Sequence, residues 1–144
     1  MKSFLEEESG SSQVVSMMVL LPVILAIAIT FLFVFPVFTT QQTLNAQARS
    51  IAHTAEVTGR VGWEVQDTIT RLEDTSGVTP DSVTWDTTWL NEEQQTIQLR
   101  TPFTVTLTKQ LKLPFITPAI GESRAITIEL HAAASGISEV YYKP

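Results

Sequence analysis

The sequence predicts an α+β protein: a long N-terminal transmembrane helix continuing into a polar helix, then a short helix packed on a small antiparallel sheet of about four strands. Three observations predict it. The stretch Val14–Phe38 carries no charged residue. Apolar residues then recur at helical spacing as far as Ala55, and again from Trp63 to Thr75. After Thr79-Pro80-Asp81 the period changes to two, as in antiparallel strands with one face in water.

The uncharged stretch is about 25 residues long, enough to cross a hydrocarbon core of roughly 30 Å as one tilted helix. It is too long for the apolar region of a cleaved secretory signal, the head before it is acidic apart from Lys2, and no small-x-small site follows at Phe38-Thr39-Thr40-Gln41. A retained anchor is the expectation, with residues 1–10 as a short cytoplasmic head or leader and 11–38 as the transmembrane helix. Lys2 before the helix and Arg49 after it nearly balance under the positive-inside rule. A short head before a long downstream domain favours a single-pass cell-membrane protein, head inside and domain outside. Pro22 and Pro36 each remove a helical hydrogen bond, and Phe31, Phe33, Phe35 and Phe38 add apolar bulk for lipid.

Residues 39–62 read as a polar helical stalk. Leu44, Ala48, Ile51 and Ala55 form one narrow apolar seam, with Gln41, Gln42, Asn45, Gln47 and Arg49 on the other faces. Such a seam wants a partner, either the protein's own domain or another copy. Gly59 and Gly62 interrupt this helix. A second helix follows, with Val65, Ile69 and Leu72 on one face and Asp67, Glu73 and Asp74 away from it, ending at Ser76-Gly77. Within the domain at 63–144, strands are expected where Val83 and Trp85, Ile97 and Leu99, Phe103 to Leu107, and Ile126 to Leu130 alternate with polar residues. Glu92-Glu93 and Gly121-Glu122-Ser123 supply turns. Lys109 falls on the apolar parity of its strand, so a bulge, turn or end is expected there. Pro114, Pro118 and Gly121 predict an irregular stretch.

Composition excludes several kinds of chemistry. The net charge of −6, with the basic residues scattered singly, argues against nucleic-acid binding. No cysteine is present, so there is neither a disulfide framework nor a thiolate nucleophile. His53 and His131 lie in different elements without metal-ligand spacing, and no serine has a G-x-S-x-G frame. No phosphate-cradling glycine motif exists. The carboxylate runs Glu6-Glu7-Glu8, Glu73-Asp74 and Glu92-Glu93 read as solvated charge, and Asp81 and Asp86 lack the spacing of a calcium loop. No enzyme, cofactor or metal site is expected.

The order of parts carries a resemblance. Glu8-Ser9-Gly10-Ser11-Ser12-Gln13-Val14-Val15, then Met17-Met18-Val19-Leu20-Leu21-Pro22, then Gln42-Thr43-Leu44-Asn45-Ala46-Gln47-Ala48-Arg49 resemble type IV pilin-like proteins, most closely TadE-like pseudopilins. The tail Ser135-Gly136-Ile137-Ser138-Glu139-Val140-Tyr141-Tyr142-Lys143 resembles the end of an uncharacterised Gram-positive branch often associated with mobile or conjugative elements. The resemblance implies cleavage by a prepilin peptidase between Gly10 and Ser11. It also implies packing of the apolar helix against other pilin-like subunits or own copies, in a pilus, secretion or conjugation apparatus. Two departures stand out: Val15 occupies the place of the glutamate that pilins usually carry there, and the head is acidic. They keep open the alternative of a single-pass membrane-anchored binding module that never enters a filament.

Overall fold

The computed structural model describes residues 3–115 and 124–143, with side chains described for 14–113 and 126–143. The elements are α1 (Ser3–Thr58), α2 (Trp63–Ser76), β1 (Ser82–Thr87), β2 (Pro102–Phe115) and β3 (Arg124–Ile137). They divide into two compact units, residues 1–36 and 37–144. The first is the apolar half of α1, which keeps helical backbone through Pro22 and Pro36. The second holds everything else.

In the second unit β1, β2 and β3 form an antiparallel sheet in that order. Alternation sets its faces. Phe103, Val105 and Leu107 of β2 point into the core, whereas Thr104, Thr106 and Thr108 are left partly in water. Opposite the three large residues on β3 stand Gly136, Ala134 and Ala132. Large side chains on one strand thus meet small ones on the next, and α1 comes close to β3. A Cβ on Gly136 would lie 2.6 Å from Glu56 Oε1 on α1 and 2.7 Å from Phe103 Cζ. Trp85 of β1 packs on Phe103 with ring centroids 6.0 Å apart.

The seam of α1 closes on this sheet. Leu44, Ala48, Ile51 and Ala55 are all buried, in one cluster with Ala52, with Val65 and Ile69 of α2, with Ile97, and with Leu130 and Ala132 of β3. The packed unit begins at Val37, so the polar continuation of α1, expected as a stalk over 39–62, forms one wall of the domain. Polar residues brace the wall. Gln47 Nε2 donates to Ser76 Oγ and to the Val78 carbonyl, each at 2.8 Å, and the Thr54 and Thr68 hydroxyls lie 3.3 Å apart.

α1 ends at Gly59, whose left-handed φ of 63° turns the chain. α2 stops at Gly77, whose N–H donates to the Glu73 carbonyl at 2.8 Å. The Glu92-Glu93 turn forms as expected, held by Asn91 Oδ1 accepting from the Glu93 and Gln94 N–H groups. The turn expected at Gly121-Glu122-Ser123, and Pro118, lie outside the described residues.

Three expectations about strands are corrected. Ile97 and Leu99 belong to no strand of the sheet; positive φ at Gln95 (48°) and Arg100 (64°) turns the chain on both sides. Ile97 is buried and Leu99 exposed, and the Ile97 N–H bonds to the Gly59 carbonyl instead of to a ladder. Among the described residues the sheet accordingly has three strands, close to the expected number of about four. Lys109 makes no bulge either, because β2 and β3 pair residue for residue from Pro102↔Ile137 to Phe115↔Arg124. Its stem lies along the sheet while its ammonium reaches the edge, donating to the Thr79 carbonyl 4.0 Å from Asp81 Oδ1. Finally, Pro114 lies within β2. The Thr108 carbonyl and the Gln110 N–H point to the β1 side, and by parity so does the Pro114 nitrogen. β1 has ended before that point, so no ladder bond is lost.

The entry to α2 carries the one ion pair among the described residues that perturbs its members. Gly62 provides no side-chain cap, and Glu64 sits in the first turn. Arg60 donates to Glu64, and that hydrogen bond holds the carboxyl below the usual carboxylate range and the guanidinium above its own. A carboxylate whose folded pKa is depressed lends stability above its unfolded value, near 4.3, and loses it as pH falls through the folded one. Arg60 would change charge only under strong alkali. We therefore expect amide protection at Val65–Asp67 to decline below about pH 4 in the wild type. With Glu64→Gln this acid-side decline should disappear in hydrogen exchange measured against pH.

Candidate functional site

The first feature with a bearing on function is the change of environment along α1. From Val14 to Phe35 the large apolar side chains stand mostly in the open, Leu32 at 74% and Met18 at 73% exposure. In the same helix Leu44, Ala48 and Ile51 are at most 1% exposed. Among the described residues, this is the one helix long and apolar enough to cross a membrane. One half of α1 thus offers a continuous apolar surface, and the other half has spent its apolar seam on its own domain. Gly10 and Ser11 lie on helical backbone within α1, and their side chains are outside the described residues.

The second feature is the C-terminal tail. The last carbonyls of a helix have no partner inside it, and here the tail supplies donors. The Glu139 N–H binds the Glu56 carbonyl at 3.0 Å, and the Tyr142 hydroxyl donates to the Thr58 carbonyl at 2.9 Å. Ser138, buried to 1% exposure, donates its hydroxyl to the Ile97 carbonyl, and Gln98 bonds both the N–H and the carbonyl of Tyr142. The sequence singled this tail out by resemblance alone. It has no periodicity, and its partners are backbone groups whose position only folding sets. Beside it an open cleft of about 710 Å³ is lined by Glu56, Arg100 and Glu139 among others. The Glu56 carboxylate there already accepts the Ile137 N–H at 3.1 Å.

The histidines stay apart from any pocket chemistry. His53 is exposed on α1, 3.5 Å from Glu56. His131 stands on the open face of the sheet, its Nδ1 3.2 Å from Thr108 Oγ1 and its Nε2 3.6 Å from Glu129 Oε1. The order hydroxyl, imidazole, carboxylate is that of a nucleophilic triad. Yet His131 and Glu129 are more than half exposed, and the Thr108 hydroxyl lines neither the cleft beside the tail nor the one beside α2. An alternating strand pair produces such neighbours without any catalytic requirement. Among the described residues no group of three or more His, Cys, Asp or Glu is placed to hold a metal ion.

A family model described as "Domain of unknown function (DUF4320)" matches residues 17–143. The chain belongs to the DUF4320 family. The match covers α1 from Met17 onward, α2, the sheet and the tail. Comparison with curated proteins and with solved structures gave no significant match for this DUF4320 protein.

Proposed function

We propose that this DUF4320 protein is a membrane-anchored structural subunit, a TadE-like pseudopilin or minor pilin of a pilus, secretion or conjugation apparatus, and that it catalyses no reaction. The observation that carries the proposal is the division of α1. An uncharged helix half with open side chains can sit in lipid or against like helices, because the two surroundings are similarly apolar. The other half holds a small domain at the membrane's outer face. Pilin-like assembly needs this division of labour, with the apolar half as the contact and the sheet as the exposed surface.

Two observations favour a second reading, a single-pass anchored binding module. Val15 offers no charge to a neighbouring subunit, and the seam at Leu44, Ala48, Ile51 and Ala55 is filled by the protein's own core. N-terminal sequencing and intact mass of the protein recovered from its native membrane separate the two. Under the pilin-like reading the expected terminus is Ser11. An uncut head, beginning at Met1 or Lys2, would sink that reading and leave the anchored module.

A further inference from the structure

We propose that the groove between α2 and the free edge of β1 takes up an extended peptide, which adds to the sheet as a further strand and carries a lysine or arginine toward Glu73. The groove belongs wholly to the packed unit, so nothing in it depends on where α1 meets a membrane. Strand parity creates it. The Thr108 carbonyl accepts from the Asp81 N–H at 2.8 Å, and the Gln110 N–H donates to Asp81 Oδ2, so the even residues of β2 turn their backbone groups toward β1. Their partners Ser82, Thr84 and Asp86 use their own N–H and C=O groups on that ladder. Val83 and Trp85 face the other way, and among the described residues nothing bonds their backbone groups.

An unpaired edge of this kind is a template for another strand. β1 contains neither proline nor lysine to discourage one. The opposite edge of the sheet, on β3, differs: Gln41 of α1 already reaches the His131 carbonyl there, and Glu56 the Ile137 N–H. β1 is six residues long, about 20 Å at the rise of a strand, which suits a short peptide.

Beside this edge opens a cleft of about 400 Å³, within the range of roughly 300–1,000 Å³ usual for ligand sites. Val65 and Ile69 of α2 line it with Val83 and Trp85 of β1, and Gln66 and Glu73 follow along the helix. A helix on one side and a strand edge on the other is the setting in which backbone bonds hold a peptide and pockets read its alternate side chains. Charge then names the chemistry. Asp81 is already served, with Lys109 Nζ 4.0 Å from Oδ1 and the Gln110 N–H on Oδ2. Glu73 lines the cleft half-buried and has no ion-pair partner among the described residues. The occupant is thus an extended peptide with apolar side chains at alternate positions and one basic residue.

The test uses the full-length protein in detergent micelles and a displayed library of random linear peptides. The expected result is enrichment of peptides that alternate apolar and polar residues and carry a lysine or arginine. One such peptide, synthesised, should slow hydrogen exchange at the Val83 and Trp85 amides. Val83→Pro removes an outward donor without touching the ladder to β2. It should weaken that peptide about tenfold while amide protection in β3 shows the unit still folded. Glu73→Lys should turn the selection from basic to acidic peptides. No enrichment over empty micelles would overturn the proposal. So would enriched peptides that leave exchange at Val83 and Trp85 unchanged, since they bind elsewhere, or undiminished binding to folded Val83→Pro. A basic preference that survives Glu73→Lys would overturn the role given to that carboxylate. None of these results bears on the N-terminus found in the native membrane, so the pilin-like reading stands or falls separately.

Discussion

Ile51→Asp is expected to unfold the packed unit rather than to detach one subunit from another. Ile51 is 1% exposed in the middle of the seam, between Ala48 and Ala55 and in the same cluster as Phe103 and Leu107. Removing an aliphatic side chain from such a site costs about 2–5 kcal/mol. A carboxylate adds the penalty of an unpaired buried charge, several kcal/mol more. A domain of this size has only about 5–15 kcal/mol to lose. Protein in detergent should therefore lose the tryptophan fluorescence signature of Trp85 against Phe103 and become protease-sensitive beyond Trp63. Leu20→Ala, in the open half of α1, should leave both signals as they are. Loss of oligomers with the folded signals retained would instead make the seam an intermolecular surface, contrary to its burial here.

Gly59→Val should release the C-terminal tail. A residue other than glycine at a φ of 63° costs about 1–2 kcal/mol. Space adds to the cost, since a Cβ at this position would lie 2.6 Å from Val140 Cβ and 3.1 Å from Tyr142 Cε2. Those atoms belong to the segment that closes the end of α1, and overpacking of this kind adds about 1–3 kcal/mol. The tail can relieve the clash only by giving up the bonds from Glu139 to Glu56 and from Tyr142 to Thr58. Hydrogen exchange at Ser138 and Tyr142 should accelerate, and Ile97, which loses the Ser138 hydroxyl, should follow. Unchanged protection across 138–143 would show that the tail does not depend on the turn at Gly59.

Periodicity made most of the architecture legible. Spacing of apolar residues set both helices, and Gly59 and Gly77 marked their ends within a residue or so, because a helix face and a left-handed turn are local requirements. Alternation likewise marked β1, β2 and β3. It misled at Ile97 and Leu99, where a short apolar alternation was broken by left-handed turns at Gln95 and Arg100 that neither residue type advertises. At Lys109 a charged residue on the inward parity seemed to demand a break, but a long stem let the strand continue and put the charge at the sheet edge.

By itself the sequence determined that an uncharged helix of membrane-spanning length precedes a small α+β domain without cysteine, because charge, length and period are properties of the chain read along its own axis. Only the tertiary structure decided what covers Leu44, Ala48, Ile51 and Ala55, since an amphipathic stripe states that it must be buried but not by what. It likewise decided that the tail closes the end of α1. Those outcomes depend on which residues of distant segments arrive side by side, and hydrophobic burial, having no direction of its own, leaves that choice to the fold.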